Sequence, residues 1–135
     1  MDCIFCKIVN GLIPNYRVYE DEKVVAFLDI KPVSKGHTLV IPKIHADDVF
    51  AISNEDVAAV SIAAKKIATA IIKATDAEGV NLLNSNKREA GQTVFHYHMH
   101  IIPRSRDDKL KVFPHSTYAE TDLQGVKEKI REALK

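Results

Sequence analysis

The stretch Thr93-Val94-Phe95-His96-Tyr97-His98-Met99-His100-Ile101-Ile102-Pro103 constrains the fold more than any other part of the chain. Three of the six histidines recur here at every second residue, with bulky apolar residues between them. Alternation at period two is the pattern of a half-buried β-strand. It predicts a strand over Phe95–Ile102, with His96, His98 and His100 on one exposed face and Phe95, Tyr97, Met99 and Ile101 turned to a core. Three rings that titrate near neutral pH, set along one strand face, point to chemistry more than to packing. A single ion cannot take all three. At about 3.3 Å rise per residue, neighbouring triad histidines lie about 7 Å apart and the outer two about 13 Å apart. A zinc ion holds each nitrogen at about 2 Å, so the triad alone is no three-ligand catalytic metal site.

A chain of 135 residues is expected to form one domain over 1–135 with a single core. Nineteen Lys and Arg against eighteen Asp and Glu leave a net charge of +1. A general nucleic-acid binder needs a basic surface to neutralise phosphates, so no nucleic-acid partner is expected. No apolar run approaches the ~18 residues that span a bilayer, and no membrane partner is expected. The start Met1-Asp2-Cys3 lacks a basic segment followed by an apolar one, which leaves the cytoplasm as the expected location. In that reducing compartment Cys3 and Cys6 read as thiols or metal ligands before a disulfide. Taken alone, Cys3-x-x-Cys6 stays open between a redox pair, packed thiols and ligands.

Residues 3–10 predict a short helix ended by Asn10-Gly11. Tyr16–Tyr19 and Val24–Leu28 predict a hairpin turning at Asp21-Glu22, and Thr38–Ile41 a strand stopped by Pro42. Ser53 and Asp56 form a capping box for a long helix whose stripe is Val57, Val60, Ala64, Ile67, Ile71 and Ala74, with Gly79 as its stop. Val80–Leu83 makes a fourth strand and the triad segment a fifth. A last helix is predicted from a Thr121…Gln124 capping box, burying Leu123, Val126, Ile130 and Leu134. Short loops and a single helix between strands predict the α+β class with a largely antiparallel sheet. His115 reads as a surface residue.

Gly91-Gln92-Thr93-Val94 followed by His96-Tyr97-His98-Met99-His100-Ile101-Ile102 resembles the histidine triad signature, His-φ-His-φ-His-φ-φ with φ apolar. Cys3–Ile8, Phe27–Ile30 and Gly36–Lys43 are similar to the same family in the same order, so the resemblance covers a core of 3–103 and leaves 104–135 as an extension. It resembles in particular the branch of histidine triad nucleotide-binding hydrolases. The resemblance implies a five-stranded antiparallel sheet that pairs into ten strands in a homodimer. It also implies cleavage at the α-phosphorus of purine nucleoside phosphoramidates or related adenylates.

The resemblance further implies roles for individual residues. His98 would attack phosphorus and carry the nucleotidyl group, and His100 would contact phosphate oxygens. His37 would reach the nucleophile and the leaving group, and Thr93 would offer a hydroxyl to the phosphate or leaving group. Asp29 would take the ribose hydroxyls, with Ile30 and Phe5 flanking the base. Asn84, Gly91 and Gln92 would form the phosphate loop, although 85–90 lacks the further glycines common there. Bacterial-type members imply a structural zinc on Cys3, Cys6, His45 and His96, with no metal needed for the chemical step. Two alternatives are dinucleoside polyphosphate hydrolysis and nucleotide binding with little turnover.

Overall fold

The computed structural model describes residues 2–113 and 122–135. In chain order the elements are α1 (Ile4–Val9), β1 (Arg17–Glu20), β2 (Val24–Leu28), β3 (Thr38–Pro42), α2 (Asn54–Thr75), β4 (Gly79–Leu83), β5 (Met99–Arg104) and α3 (Leu123–Ala133). The five strands form one sheet in the order β1-β2-β3-β5-β4, with every neighbouring pair antiparallel. The α+β antiparallel architecture read from the sequence is therefore the one present.

Strand alternation sorts the sheet into two packed faces. On one, Val24, Ala26, Val40, Tyr97 and Ile101 pack against the α2 stripe of Val60, Ala64, Ile67 and Ile71. On the other, Val25, Phe27, Leu39 and Ile41 pack against Phe5 and Ile8 of α1. The register sets Arg17 opposite Phe27, Phe27 opposite Leu39, and Leu39 opposite His100. A single row thus crosses the sheet through Phe27 and Leu39 to the triad histidine His100, which pairs in turn with Leu83 of β4.

Ser53 caps α2 as predicted, its hydroxyl accepting from Asp56 N at 3.1 Å. The helix does not stop at Gly79. Asp76 closes it in the left-handed conformation (φ 58°), and Gly79 already belongs to β4. Aspartate tolerates that conformation because its short polar side chain can bond locally. Ala74 of the predicted stripe is exposed. Gly36, which leads into β3, has φ +92°, and a Cβ there would stand 2.9 Å from Thr75 Cγ2. Only glycine lets this turn close against the end of α2.

Three expectations are corrected. The fifth strand begins at Met99, so of the triad only His100 lies on the ladder. Residues 94–96 bend instead of continuing the strand, and the hydrogen bonds of this segment go elsewhere: Tyr97 N donates to Ala46 O at 2.7 Å, and His96 Nε2 reaches Pro42 O at 2.8 Å. Phe95 is not a core residue; it is exposed beneath the Arg88 guanidinium, 5.8 Å from its ring centroid. The last helix is capped by Asp122, whose carboxylate accepts from Gly125 N at 3.1 Å. Leu123, Val126, Ile130 and Leu134 are all exposed and not buried as predicted. Thr121 and His115 lie outside the described residues.

Candidate functional site

A cleft of about 500 Å³ opens on the α1 face, where the cross-strand row meets the triad. Phe5, Ile8, Ile13, Phe27 and Leu39 supply apolar wall, and Asp29, Thr93, His98 and His100 supply polar groups. Ile30 lies at the same cleft and is 77% exposed, an apolar side chain with little of its own chain to cover it. Phe5 is buried and meets the His98 ring edge-on, with centroids 5.1 Å apart.

The predicted exposure of the triad is wrong for two of its members. His96 and His98 are buried, and only His100 is partly open. Burial disfavours the charged imidazolium, so His37, His96 and His98 are held below the usual histidine range. His100 is pushed down to about 4, by burial first and then by the neighbouring His98 and His37 rings, with Asp29 opposing. All four rings are neutral at pH 7, so each carries its proton on one nitrogen.

Backbone groups decide which nitrogen that is. His98 Nδ1 lies 2.7 Å from the His96 carbonyl, which can only accept; Nδ1 therefore carries the proton and Nε2 is bare. Val33 N–H donates to His37 Nδ1 at 3.0 Å, so the His37 proton sits on Nε2. That Nε2–H faces His100 Nδ1 at 2.9 Å, with Asp29 Oδ2 at 3.6 Å. His100 Nδ1 must accept, which leaves His100 Nε2 as a donor. The result is one bare nitrogen on His98 beside one N–H on His100, their ring centroids 5.0 Å apart. Asp29, His37 and His100 also sit close enough to suggest a cation site. The Val33 N–H argues against it, because a metal on His37 Nε2 would turn a protonated Nδ1 against that donor.

Asn84 and Gln92 work on the backbone. Asn84 Nδ2 donates to His98 O at 2.9 Å, and its Oδ1 accepts from Asn86 Nδ2 at 2.6 Å. Gln92 is buried; its Nε2 donates to Asp47 O at 2.6 Å and Val94 O at 3.1 Å, while Oε1 accepts from Lys87 N at 2.7 Å. Both side chains brace the loop that carries Thr93. Gly91 turns that loop at φ +94°. Thr93 is exposed, and among the described residues its hydroxyl makes no hydrogen bond.

The four groups predicted to hold a metal converge. Cys3 Sγ lies 3.4 Å from His96 Nδ1, Cys6 Sγ 3.4 Å from His45 Nδ1 and 3.5 Å from His96 Nδ1, and the two Nδ1 atoms 3.2 Å from each other. A tetrahedral zinc with bonds of about 2.3 Å to sulfur and about 2.0 Å to nitrogen sets such neighbours about 3.3–3.6 Å apart. The tautomers agree. His96 Nε2–H donates to Pro42 O, and His45 Nε2 faces the Asp47 carboxylate at 2.8 Å, so both Nδ1 lone pairs point inward. Two lone pairs and two sulfurs facing one point need thiol protons or a cation between them. Burial and Cys3 hold the Cys6 thiol up at about 11 in the absence of an ion; a bound cation would replace that proton. The donor set fits a closed metal centre. Sequence reasoning missed Asp47, whose signal was a carboxylate two residues past His45.

The depressed pKa of His100 gives a stability prediction. A histidine whose folded-state pKa lies below its unfolded value binds more protons when unfolded, so stability falls as pH drops from about 6.5 towards 4. Asp29, His37 and His98 face His100, and all are kept in the comparison of wild type with His100→Gln. The unfolding free energy from urea titrations should fall less between pH 7 and pH 4.5 in the variant, by on the order of 2–3 kcal/mol across the range. Equal slopes would show that His100 is not held neutral by the fold.

Residues 10–107 match the HIT domain family. The structure is similar to a HIT family protein from Bacillus anthracis, with a TM-score of 0.91 at 46% identity, covering 99% of this chain and 98% of that one. A Zn-bound histidine triad family protein from Mycobacterium smegmatis matches with a TM-score of 0.80 at 38% identity, over 98% of each chain. In sequence, the chain is 46% identical over 108 residues to an adenosine 5′-monophosphoramidase of Schizosaccharomyces pombe, covering 80% of this chain and 78% of that protein.

Proposed function

The chain belongs to the HIT domain family, and from that premise we propose that it is a nucleotide hydrolase cleaving purine nucleoside 5′-phosphoramidates or related adenylates at the α-phosphorus. The observation that carries this reading is the His98 tautomer: Nδ1–H is held by the His96 carbonyl at 2.7 Å, so the neutral ring offers a bare Nε2 beside the cleft. A relative that is an adenosine 5′-monophosphoramidase supports the substrate class.

In the proposed reaction, Asp29 accepts the ribose hydroxyls, and the base lies among Phe5, Ile8, Phe27 and Ile30. His98 Nε2 attacks phosphorus, forming a P–N bond as the bond to the leaving amine breaks. The His96 carbonyl stabilises the positive charge that develops on the ring through Nδ1–H. His100 Nε2–H binds a phosphate oxygen whose charge grows in the transition state. The leaving amine takes its proton from solvent by way of the Thr93 hydroxyl, which donates one proton and takes one back from water. Water then cleaves the nucleotidyl-histidine and returns the bare ring. None of these steps uses a metal. A zinc ion on Cys3, Cys6, His45 and His96 would be structural, since four protein ligands leave no open position. The same reading takes the protein to be a cytoplasmic homodimer with one domain over 1–135.

The test is side-by-side turnover of adenosine 5′-phosphoramidate and a diadenosine polyphosphate. The account expects AMP from the phosphoramidate with the higher kcat/KM. Preference for the dinucleotide would move the chain to another hydrolase class. Tight AMP binding without turnover of either would make it a binding protein.

A further inference from the structure

We propose that Asn15 reads the edge of the base and selects a purine that presents a donor beside an acceptor, as adenine does. The inference rests on the nucleotide reading above and adds a specificity residue to it. Of the polar side chains lining the cleft, Asp29, Thr93, His98 and His100 have roles at the ribose or phosphate, which leaves Asn15 and Lys31. Lys31 is exposed, whereas Asn15 is half-buried.

Register locates Asn15. Arg17 pairs with Phe27, and Leu28 N donates to Tyr16 O at 3.0 Å, so the next step of the antiparallel ladder sets Asn15 opposite Asp29. Asp29 N in turn donates to His37 O at 2.9 Å. Asn15, Asp29 and His37 therefore form a second row across the cleft face, parallel to the Arg17–Phe27–Leu39–His100 row. From β5 to β1 there are three strand spacings, about 14 Å, roughly the span of a nucleoside 5′-monophosphate. A nucleotide with its phosphate at His98 and its ribose at Asp29 extends its base towards β1, where Ile13, Pro14 and Asn15 line the cleft.

The amide has capacity to spare there. Asn15 Nδ2 donates one N–H to Ile13 O at 3.1 Å, and Oδ1 accepts from Arg17 Nε at a long 3.5 Å. A second N–H and a second lone pair remain. A side-chain amide pairs with adenine through its exocyclic amino group and an adjacent ring nitrogen, one bond in each direction. The bond to Ile13 O fixes the amide's orientation in advance, so little ordering is needed on binding.

Calorimetric binding of AMP and of purine riboside 5′-monophosphate, which lacks the amino group, tests this without depending on turnover. Wild type should bind AMP about tenfold more tightly. Asn15→Ala should bring the ratio to about one and, on adenosine 5′-phosphoramidate, raise KM by up to about tenfold, the loss falling on KM more than on kcat. Asn15→Asp, of the same shape but without a donor, should weaken AMP binding as well. Equal affinities in wild type, or a preference that survives in Asn15→Ala, would overturn the proposal. A preference that vanishes in Asn15→Ala in a protein that cleaves no phosphoramidate would uphold it and refute the hydrolase reading alone.

Discussion

Replacing His98 with alanine is expected to lower kcat on adenosine 5′-phosphoramidate by on the order of 10⁵-fold, with far less effect on AMP binding. The proposed route is covalent, so removing the attacking nitrogen removes the reaction path and not merely one contact. Losing a donor that only stabilises charge costs less; His100→Gln should lower kcat by about 10²–10³-fold. The gap between the two variants separates a nucleophile from an oxyanion donor. His98 is buried against Phe5, so the alanine leaves a cavity, and His98→Asn serves as a better-filled second variant. Unchanged turnover in either, in protein shown by circular dichroism to be folded, would refute the assignment.

The second large effect belongs to the metal centre. Purified protein from zinc-replete medium should contain about one zinc per chain, and the Cys3→Ser/Cys6→Ser double variant none. The ligands tie α1 to the loop after β3 and to the triad segment, and those segments share few backbone bonds. Loss of the ion should lower Tm by more than about 10 °C, as expected when a few kcal/mol are removed from a domain of this size. Activity should fall with it. His96 is both a proposed ligand and the residue whose carbonyl fixes the His98 proton, so freeing its ring loosens the atom that sets the tautomer. Metal-free wild type with both thiols titratable and an unchanged Tm would reject the centre.

The two-residue spacing of the histidines was readable in the sequence because face alternation needs only an extended chain. That alternation holds from His96 onward, where His96 and His98 both meet Phe5 while Tyr97 packs in the opposite core, but it fails at Phe95, and the ladder begins only at Met99. The strand boundary was not readable. It depends on His96 being drawn to Cys3, Cys6 and His45, a contact between segments as many as 93 residues apart. Ser53 announced the start of α2 through a local bond to Asp56 N. Its end fell at Asp76, because an aspartate in the left-handed conformation does the task assigned to Gly79. The C-terminal helix showed its apolar spacing, and spacing alone cannot say what a face packs against; here Leu123 to Leu134 stay exposed.

Within the site, the side chains were legible and their proton positions were not. Asp29, His98 and His100 line the cleft, and buried His37 reaches it through His100. Which nitrogen of each ring is bare follows from the Val33 amide and the His96 carbonyl, atoms every residue possesses and no motif encodes. Gln92 and Asn84 were expected at the substrate, and their side chains hold backbone groups of Asp47, Val94, Lys87 and His98, contacts no motif encodes.

The central claim is that His98 carries the nucleotidyl group. Quenching the enzyme in alkaline denaturant within its first turnovers on adenosine 5′-phosphoramidate, followed by intact-protein and peptide mass spectrometry kept out of acid, tests it most directly. The account predicts an adduct of one adenylyl group on the peptide containing His98, absent from His98→Asn. An adduct on another residue, or turnover with no adduct under conditions that preserve phosphohistidine, would contradict it.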